Sequence, residues 1–258
     1  MLNDPLRNVM TQGYLYVEEY QSAGKALGVM RDMRISCVFV LQDNKPSGII
    51  TERKIMKIAV SGSDVCTAAV KDVMSSPLIS LTPEHTIGDA CALIAEKEIR
   101  HLGIVDTAGR LKGTVTSSNI VNLMGSESFS STALVRDVMF PNLVLLEEKS
   151  NLKEAGSAIL EARSCCAIVM SEGYPVGIVS EKDVVRCLGF GQNISSVTLD
   201  RVMSKPVIGV EEKDTIAQAI ITLRRHRIHR LVVYNDQGRV SGILALNGLV
   251  RNIHKILH

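Results

Sequence analysis

The dipeptide Val-Met recurs at Val9-Met10, Val73-Met74, Val138-Met139 and Val202-Met203, in steps of 64, 65 and 64 residues. A second landmark, Gly before an apolar pair and usually a hydroxyl residue, recurs at Gly48-Ile49-Ile50-Thr51, Gly113-Thr114-Val115-Thr116, Gly177-Ile178-Val179-Ser180 and Gly242-Ile243-Leu244-Ala245. Its steps are 65, 64 and 65. Two landmarks that keep one period through four copies mark a repeat protein, in which each copy buries its apolar face against a neighbour. Ser61-Gly62-Ser63-Asp64, Gly125-Ser126-Glu127-Ser128 and Gly189-Phe190-Gly191-Gln192 are rich in residues that resist regular structure and read as linkers. The repeats are therefore placed at 1–64, 65–128, 129–193 and 194–258.

The second copy is the clearest. Residues Pro77 to Leu81 form a short extended piece, Thr86 is an N-cap, and Ile87, Ala90, Leu93 and Ile94 give helical spacing to about Glu98. Leu102 to Val105 is an apolar strand, Asp106 to Gly109 a turn, and Leu111 to Val115 the partner strand of a hairpin. A last helix begins at Ser117 or Ser118 and carries Ile120, Val121 and Leu123. The unit is β-α-β-β-α, of the α/β (α+β) class. About 60 residues bury too little surface to stand alone, so the copies should pair into two modules.

Composition supports this reading. Of 258 residues 46% are hydrophobic but only 3% aromatic, so the cores must be built from Val, Ile, Leu, Ala and Met. A net charge of +2 argues for no polyanionic partner. No leader pattern and no stretch approaching 18 apolar residues is seen, so no membrane and a cytoplasmic location are expected. Cys37, Cys66, Cys91, Cys165, Cys166 and Cys187 contain no C-x-x-C pair and no zinc spacing, and are expected to be buried small hydrophobes. Most of the ten methionines are expected to be core filler.

Asp72-Val73-Met74-Ser75-Ser76-Pro77, Ile99-Arg100-His101-Leu102 with Val105-Asp106, and Gly177-Ile178-Val179-Ser180-Glu181-Lys182-Asp183 resemble the opening, central strand and ending of the CBS domain, named for cystathionine β-synthase. The four-copy organisation, with Ile228-His229-Arg230-Leu231-Val232-Val233, is similar to the regulatory gamma subunit of AMP-activated protein kinase. The resemblance implies two pseudo-twofold Bateman modules, each with two clefts, and implies a homodimer. It also implies that each cleft is completed by the other repeat of its pair, with adenine slotted between strand backbones.

In the G-x-x-[ST]-x-x-[DN] ending a hydroxyl closes a strand, and three residues later a carboxylate enters the first helical turn. A carboxylate there can accept both hydroxyls of a ribose, and nearby Arg, His or Lys would favour phosphate. The copies differ at these offsets. The third has Ser180 and Asp183, the second Thr116 and Asn119, the first Thr51 and Lys54, and the fourth Ala245 and Gly248. The Asp183 cleft would be completed by Lys205-Pro206-Val207-Ile208 beside adenine, and by Ile228 and the pair His229-Arg230 towards phosphate. Arg100-His101 would face the cleft of Thr51 and Lys54, and Ile35-Ser36-Cys37 the cleft of Asn119.

Plainer roles compete with these. Asp183 can simply stabilise a helix N-terminus. Arg224-Arg225-His226-Arg227 reads as a solvated helix end, with nucleic-acid contact as its alternative, and Arg34 and Arg163 as phosphate contacts or exposed helix ends. Three functions follow: a non-catalytic sensor of AMP, ADP or ATP acting on a protein partner, a scaffold with vestigial clefts, or a nucleic-acid-binding module. The low aromatic content argues against the last. No catalytic constellation or metal cluster is visible, so neither an enzyme nor a catalytic cofactor is expected.

Overall fold

The computed structural model describes residues 1–124, 129 and 132–257, so the second of the linkers read from the sequence lies outside the described residues. A 3-10 turn at Leu6–Asn8 leads into strand β1 (Thr11–Gln12). Repeat 1 is β2 (Tyr16–Glu18), α1 (Ala23–Met33), β3 (Cys37–Gln42), β4 (Lys45–Thr51) and α2 (Glu52–Val60). A helical turn, α3 (Val70–Val73), precedes repeat 2, which is β5 (Ser80–Leu81), α4 (Ile87–Glu96), β6 (His101–Val105), β7 (Leu111–Thr116) and α5 (Ser117–Leu123). Repeat 3 is β8 (Leu145–Glu147), α6 (Leu152–Glu161), β9 (Cys166–Ser171), β10 (Tyr174–Ser180) and α7 (Glu181–Gly189). Repeat 4 is β11 (Gly209–Glu211), α8 (Ile216–His226), β12 (Arg230–Tyr234), β13 (Val240–Ala245) and α9 (Leu246–Arg251), followed by α10 (Ile253–Ile256).

Local chemistry sets these boundaries. Thr86 and Asp89 form a capping box at the start of α4, with Asp89 N–H donating to Thr86 Oγ1 at 3.1 Å and Thr86 N–H to Asp89 Oδ2 at 2.8 Å. Helices α1 and α8 stop at Arg34 and Arg227, whose φ angles of 54° and 53° leave the helical region. The Asp43-Asn44 turn has two positive φ values, 50° and 62°, as a two-residue hairpin requires. The extended piece expected over Pro77–Leu81 narrows to Ser80–Leu81, where pairing with Gly103 and Ile104 begins. Upstream of it Ser75 is bridged to Ile49 of repeat 1, so the chain there is still crossing between repeats.

That crossing organises the whole molecule. In each repeat the first strand is parallel to the second, which is antiparallel to the third, and β1 adds an edge beside β7. The Val-Met segments pack on the partner repeat instead of the one they open. Val73 and Met74 join the core of repeat 1, Val202 and Met203 that of repeat 3, and the segments at Val9 and Val138 pack with repeats 2 and 4. Each methionine lies across the landmark glycine of the repeat it enters. A Cβ on Gly48 would sit 2.7 Å from Met74 Sδ, and one on Gly242 would sit 2.6 Å from Met139 Sδ; Met203 covers Gly177 and Met10 covers Gly113 in the same way. The two sequence landmarks are the two halves of one contact.

Paired repeats also join through their sheets. Phe39, Ile49 and Leu111 form a cluster between repeats 1 and 2, and Cys166, Ile168, Val232 and Ile243 one between repeats 3 and 4. The modules then meet helix to helix: α2 packs on α6 and α7, α1 on α7, and α9 on α4 and α5. Repeat 1 thus faces repeat 3 and repeat 2 faces repeat 4, within one chain. Met30, Met56 and Met124 are buried as expected of core filler. Cys66 departs from the expectation for cysteines: it is exposed, in the loop after α2, because the chain there runs over the surface towards α3.

The close approach makes opposite predictions for two glycines. Gly48→Ala drives a methyl group against the Ser75 carbonyl oxygen, 2.6 Å away, and against Met74 Sδ, and should destabilise by about 1–3 kcal/mol. Gly28→Ala, inside α1 with nothing within 4 Å, should stabilise by about 0.5–1 kcal/mol. Urea unfolding of both variants checks the pair.

Candidate functional site

The strand-to-helix ends hold the residues that the repeat comparison picked out. Ser180 ends β10, and both its N–H and its Oγ–H donate to Asp183 Oδ2 at 2.9 Å. Arg186 reaches the other carboxylate oxygen of Asp183 at 3.0 Å, and Ser180 and Asp183 are both buried. Asp183 is therefore a helix cap in this structure, and any ligand must share or displace those bonds. Thr116 and Asn119 form the same box in repeat 2, where Thr116 Oγ1 donates to Asn119 Oδ1 at 2.6 Å and Asn119 Nδ2 donates to Thr11 Oγ1 at 3.2 Å. In repeat 1, Thr51 Oγ1 accepts from Lys54 N–H at 3.4 Å, and burial with Lys57 nearby lowers the Lys54 pKa.

The residue after each exchanged methionine lies against these ends. It is Thr11 in repeat 2, Ser75 in repeat 1 and Ser204 in repeat 3, but Phe140 in repeat 4. A Cβ on Gly248 would fall 2.7 Å from Phe140 Cε2. The Phe140 ring thus takes the space over Gly248, where a side chain such as that of Asp183 in repeat 3 would not fit. Ser204 bridges Ile178, two residues before Ser180, so the following Lys205, Pro206, Val207 and Ile208 run from the Asp183 side into repeat 4. Lys205 and Pro206 are exposed, and Val207 is half-buried among Cys165, Cys166 and Ile178.

The basic residues converge elsewhere than the sequence suggests. Arg100 does not face a free cleft at Thr51 and Lys54. Its Nη2 donates to Glu181 Oε2 at 2.6 Å and to Oε1 at 2.8 Å, while Arg53 Nε donates to Oε1 at 2.6 Å. Arg53 also donates to the Ser164 carbonyl. Glu181, the first residue of α7, thereby links repeats 1, 2 and 3, and its side chain is only 2% exposed. Burial pushes its pKa up, but Arg100, Arg53 and Arg230 outweigh that and hold it below the ordinary value. Glu52, the matching residue of α2, is raised to about 7, by burial first and then by Glu181.

His101 Nε2 is hydrogen-bonded to Ser36 Oγ at 2.8 Å, which ties β6 of repeat 2 to the segment before β3 of repeat 1. Burial, then Arg100, lowers the His101 pKa to about 4. Arg230 lies in a half-buried position beside Cys165, Cys166 and Glu181, which keep it charged, and its Nε is shut off from water with no hydrogen-bond partner. His229 and Ile228 line a cavity of about 250 Å³ with Val121, Asn122 and Leu246, between repeats 2 and 4. Burial, Arg230 and Lys182 hold the His229 pKa below its usual value, so phosphate binding through this imidazolium would need more acid than a free histidine does.

The flanking cations resolve plainly. Arg34 and Arg163 are exposed residues in left-handed backbone. Arg225, His226 and Arg227 are exposed, while Arg224 Nη2 donates to the Val121 carbonyl at 2.9 Å and to that of Met124, tying α8 to α5. Among the described residues no cluster of three or more His, Cys, Asp or Glu is placed to hold a metal, and no helix is long and apolar enough to cross a membrane.

The model of the CBS domain family matches residues 6–61, 70–126, 135–189 and 199–255. The chain belongs to the CBS domain family. An uncharacterized protein of Methanocaldococcus jannaschii, MJ1404, is 24% identical over 72% of this CBS chain, which spans only 44% of that relative's length. The CBS domain-containing protein YhcV of Bacillus subtilis is 31% identical over 49% of the chain and 90% of its own length. Among solved structures, MJ1225 of M. jannaschii, described in relation to g-AMPK, superposes with a TM-score of 0.84 at 18% identity, over 97% of this chain and all of its own. The likeness extends to the arrangement of all four CBS repeats.

Sequence comparison of the CBS repeats missed Glu181, Arg53, Glu52 and Phe140. The signal for Phe140 is the residue after each Val-Met. The signal for Glu52 and Glu181 is the residue after the last strand of each repeat, Glu52, Ser117, Glu181 and Leu246, which a helix-dipole argument passes over, and Arg53 follows Glu52 directly.

Glu52 and His101 predict opposing pH effects. The folded pKa of Glu52 lies above the ordinary glutamate value of 4.5, so its contribution is full below about 4.5 and is lost as pH rises through about 7. The folded pKa of His101 lies below 6.5, so its contribution is present above 6.5 and is lost as pH falls through about 4. Glu52→Gln should be more stable than the parent by ~2 kcal/mol near pH 8 and should show the unmasked acid loss of His101. Parallel stability profiles for parent and variant, measured by urea unfolding between about pH 5 and 8, would contradict the shift of Glu52.

Proposed function

We propose that this CBS protein is a non-catalytic regulator that binds an adenine nucleotide, AMP, ADP or ATP, in the cleft of Ser180 and Asp183, and passes its occupancy to a protein partner. The observation that carries the reading is an electrostatic mismatch. Arg53, Arg100 and Arg230 converge on Glu181, whose carboxylate they keep ionised, while Glu52 is raised to about 7 and so only partly ionised at neutral pH, and Arg230 Nε has no partner. A half-buried excess of guanidinium groups favours an anion, and phosphate suits their geometry. Repeat 3 supplies the hydroxyl and carboxylate that would hold a ribose, and the Lys205–Ile208 segment an apolar edge for a base. The Thr116–Asn119 and Thr51 clefts rank below it, and Phe140 closes the fourth. The same chemistry admits an adenosyl ligand carrying another charged group. One chain already pairs its two modules through their helices, so a homodimer would use a different face.

A second reading, a scaffold with vestigial clefts, is favoured by Phe140 in the fourth cleft and by the bonds that already occupy Asp183.

Calorimetry separates the two. Asp183→Ala should weaken AMP and adenosine alike, by about 1.5–3 kcal/mol, through loss of charge-assisted ribose bonds. Arg230→Ala should weaken AMP and ATP by a similar amount and adenosine much less, and added salt should partly mimic it. Absence of binding by the parent protein supports the scaffold. Equal loss of adenosine and ATP in the Arg230 variant removes the phosphate contact.

A further inference from the structure

Glu181 stands out because nothing in a helix N-terminus demands a carboxylate buried this completely. Its side chain is 2% exposed, while its partners Arg53 and Arg100 are 33% and 28% exposed. The three groups come from three repeats: Arg53 from α2, Arg100 from the turn before β6, and Glu181 from the start of α7. Of the corresponding residues of the other three last helices, Glu52 is a second carboxylate, half-buried and with its pKa raised to about 7 by burial and by Glu181, and the remaining two are not acidic. Ser117 has a buried Oγ with no hydrogen-bond partner, and Leu246 is buried and apolar. Arg230, from repeat 4, adds its charge to the same carboxylate and leaves Nε unpartnered. The centre thus holds one orphaned donor, Arg230 Nε, and three guanidinium groups around the ionised Glu181, with Glu52 as a second carboxylate whose charge burial and Glu181 disfavour. Removing one member of a buried ion cluster leaves the remaining charges without compensation, so the vacancy selects for another anion of similar size.

We propose that Glu181 is an internal occupant of an anion site. Its carboxylate takes the donors of Arg53 and Arg100 when no ligand is present, and a polyphosphate gains those donors only by displacing it. Glu181 therefore sets a threshold against highly charged ligands. An anion held at Arg230 Nε displaces no hydrogen bond, whereas one reaching to Arg53 and Arg100 competes with a carboxylate already in place at 2.6 Å from each. This rests on the proposed anion-binding role of the centre, and not on adenine recognition.

The test uses the full chain and inorganic pyrophosphate as probe. Glu181→Gln keeps the side-chain shape and removes the charge. It should melt below the parent in phosphate-free chloride buffer, recover with millimolar pyrophosphate, and bind pyrophosphate at least tenfold more tightly than the parent. Glu181→Asp, which keeps the charge on a shorter stem, should lie between them. Adding Arg100→Met to Glu181→Gln should abolish the gain, which locates the probe at the centre. Equal pyrophosphate affinity in parent and Glu181→Gln, a gain that survives Arg100→Met, or a Glu181→Gln chain that fails to fold even with pyrophosphate would each overturn the proposal and leave Glu181 a structural latch. Binding of AMP by the parent is scored separately, so loss of the nucleotide reading leaves this outcome readable.

Discussion

A methionine lying across a glycine is the contact on which this molecule is built. The chain enters each repeat through a segment that sequence order assigns to its neighbour, and the entry is sealed where a thioether covers a backbone with no side chain. Methionine suits the position, being unbranched and able to fill an irregular gap. Glycine is required because any Cβ would collide with it. Full burial of a Val or Met contributes about 1.5–3 kcal/mol per side chain, which applies to Val9, Val138 and Met203, while the partly buried Met10, Val73, Met74, Met139 and Val202 contribute less. Because each segment serves the other repeat of its pair, neither repeat has a complete core without its partner, and the module is the smallest unit that closes.

The exchange also decides where chemistry can occur. It brings the residue after each methionine against the strand end of the partner repeat, so one position tunes each cleft. Thr11, Ser75 and Ser204 leave three clefts polar, and Phe140 plugs the fourth. Helix-to-helix packing of the modules then gathers the beginnings of the last helices, and with them Glu52, Arg53, Glu181 and Lys182, towards Arg100 and Arg230. The clefts and the charged centre are consequences of one arrangement, which is how a ligand in the Asp183 cleft could bear on the contact between modules through Glu181.

Much of this was legible in the sequence, and the reasons for the rest are physical. The β-α-β-β-α order could be read because Thr86, the Ile87–Ile94 spacing and the Asp106–Gly109 turn are local signals. The pairing of repeats followed from their size. The exchange of the Val-Met segments was hidden because a period reports spacing and says nothing of which copy a residue packs on. The different state of each cleft was visible at Asp183, Asn119, Lys54 and Gly248, yet the ring that covers Gly248 in the fourth, Phe140, lies over a hundred residues away in the chain. Glu181 was overlooked because an acidic residue in the first helical turn already has an ordinary explanation. Only convergence of three repeats shows that its carboxylate faces Arg53 and Arg100 instead of water.

The four repeats share one fold, and the proposed nucleotide role makes their clefts unequal, with the third best suited to a nucleotide and the fourth closed. A crystal structure of the protein grown with AMP tests this most directly. The expected result is adenosine beside Ser180 and Asp183 with its phosphate towards Arg230, and Phe140 still packed on Gly248. Nucleotide density in the fourth cleft with Phe140 displaced, or an empty Asp183 cleft beside an occupied one elsewhere, would contradict it.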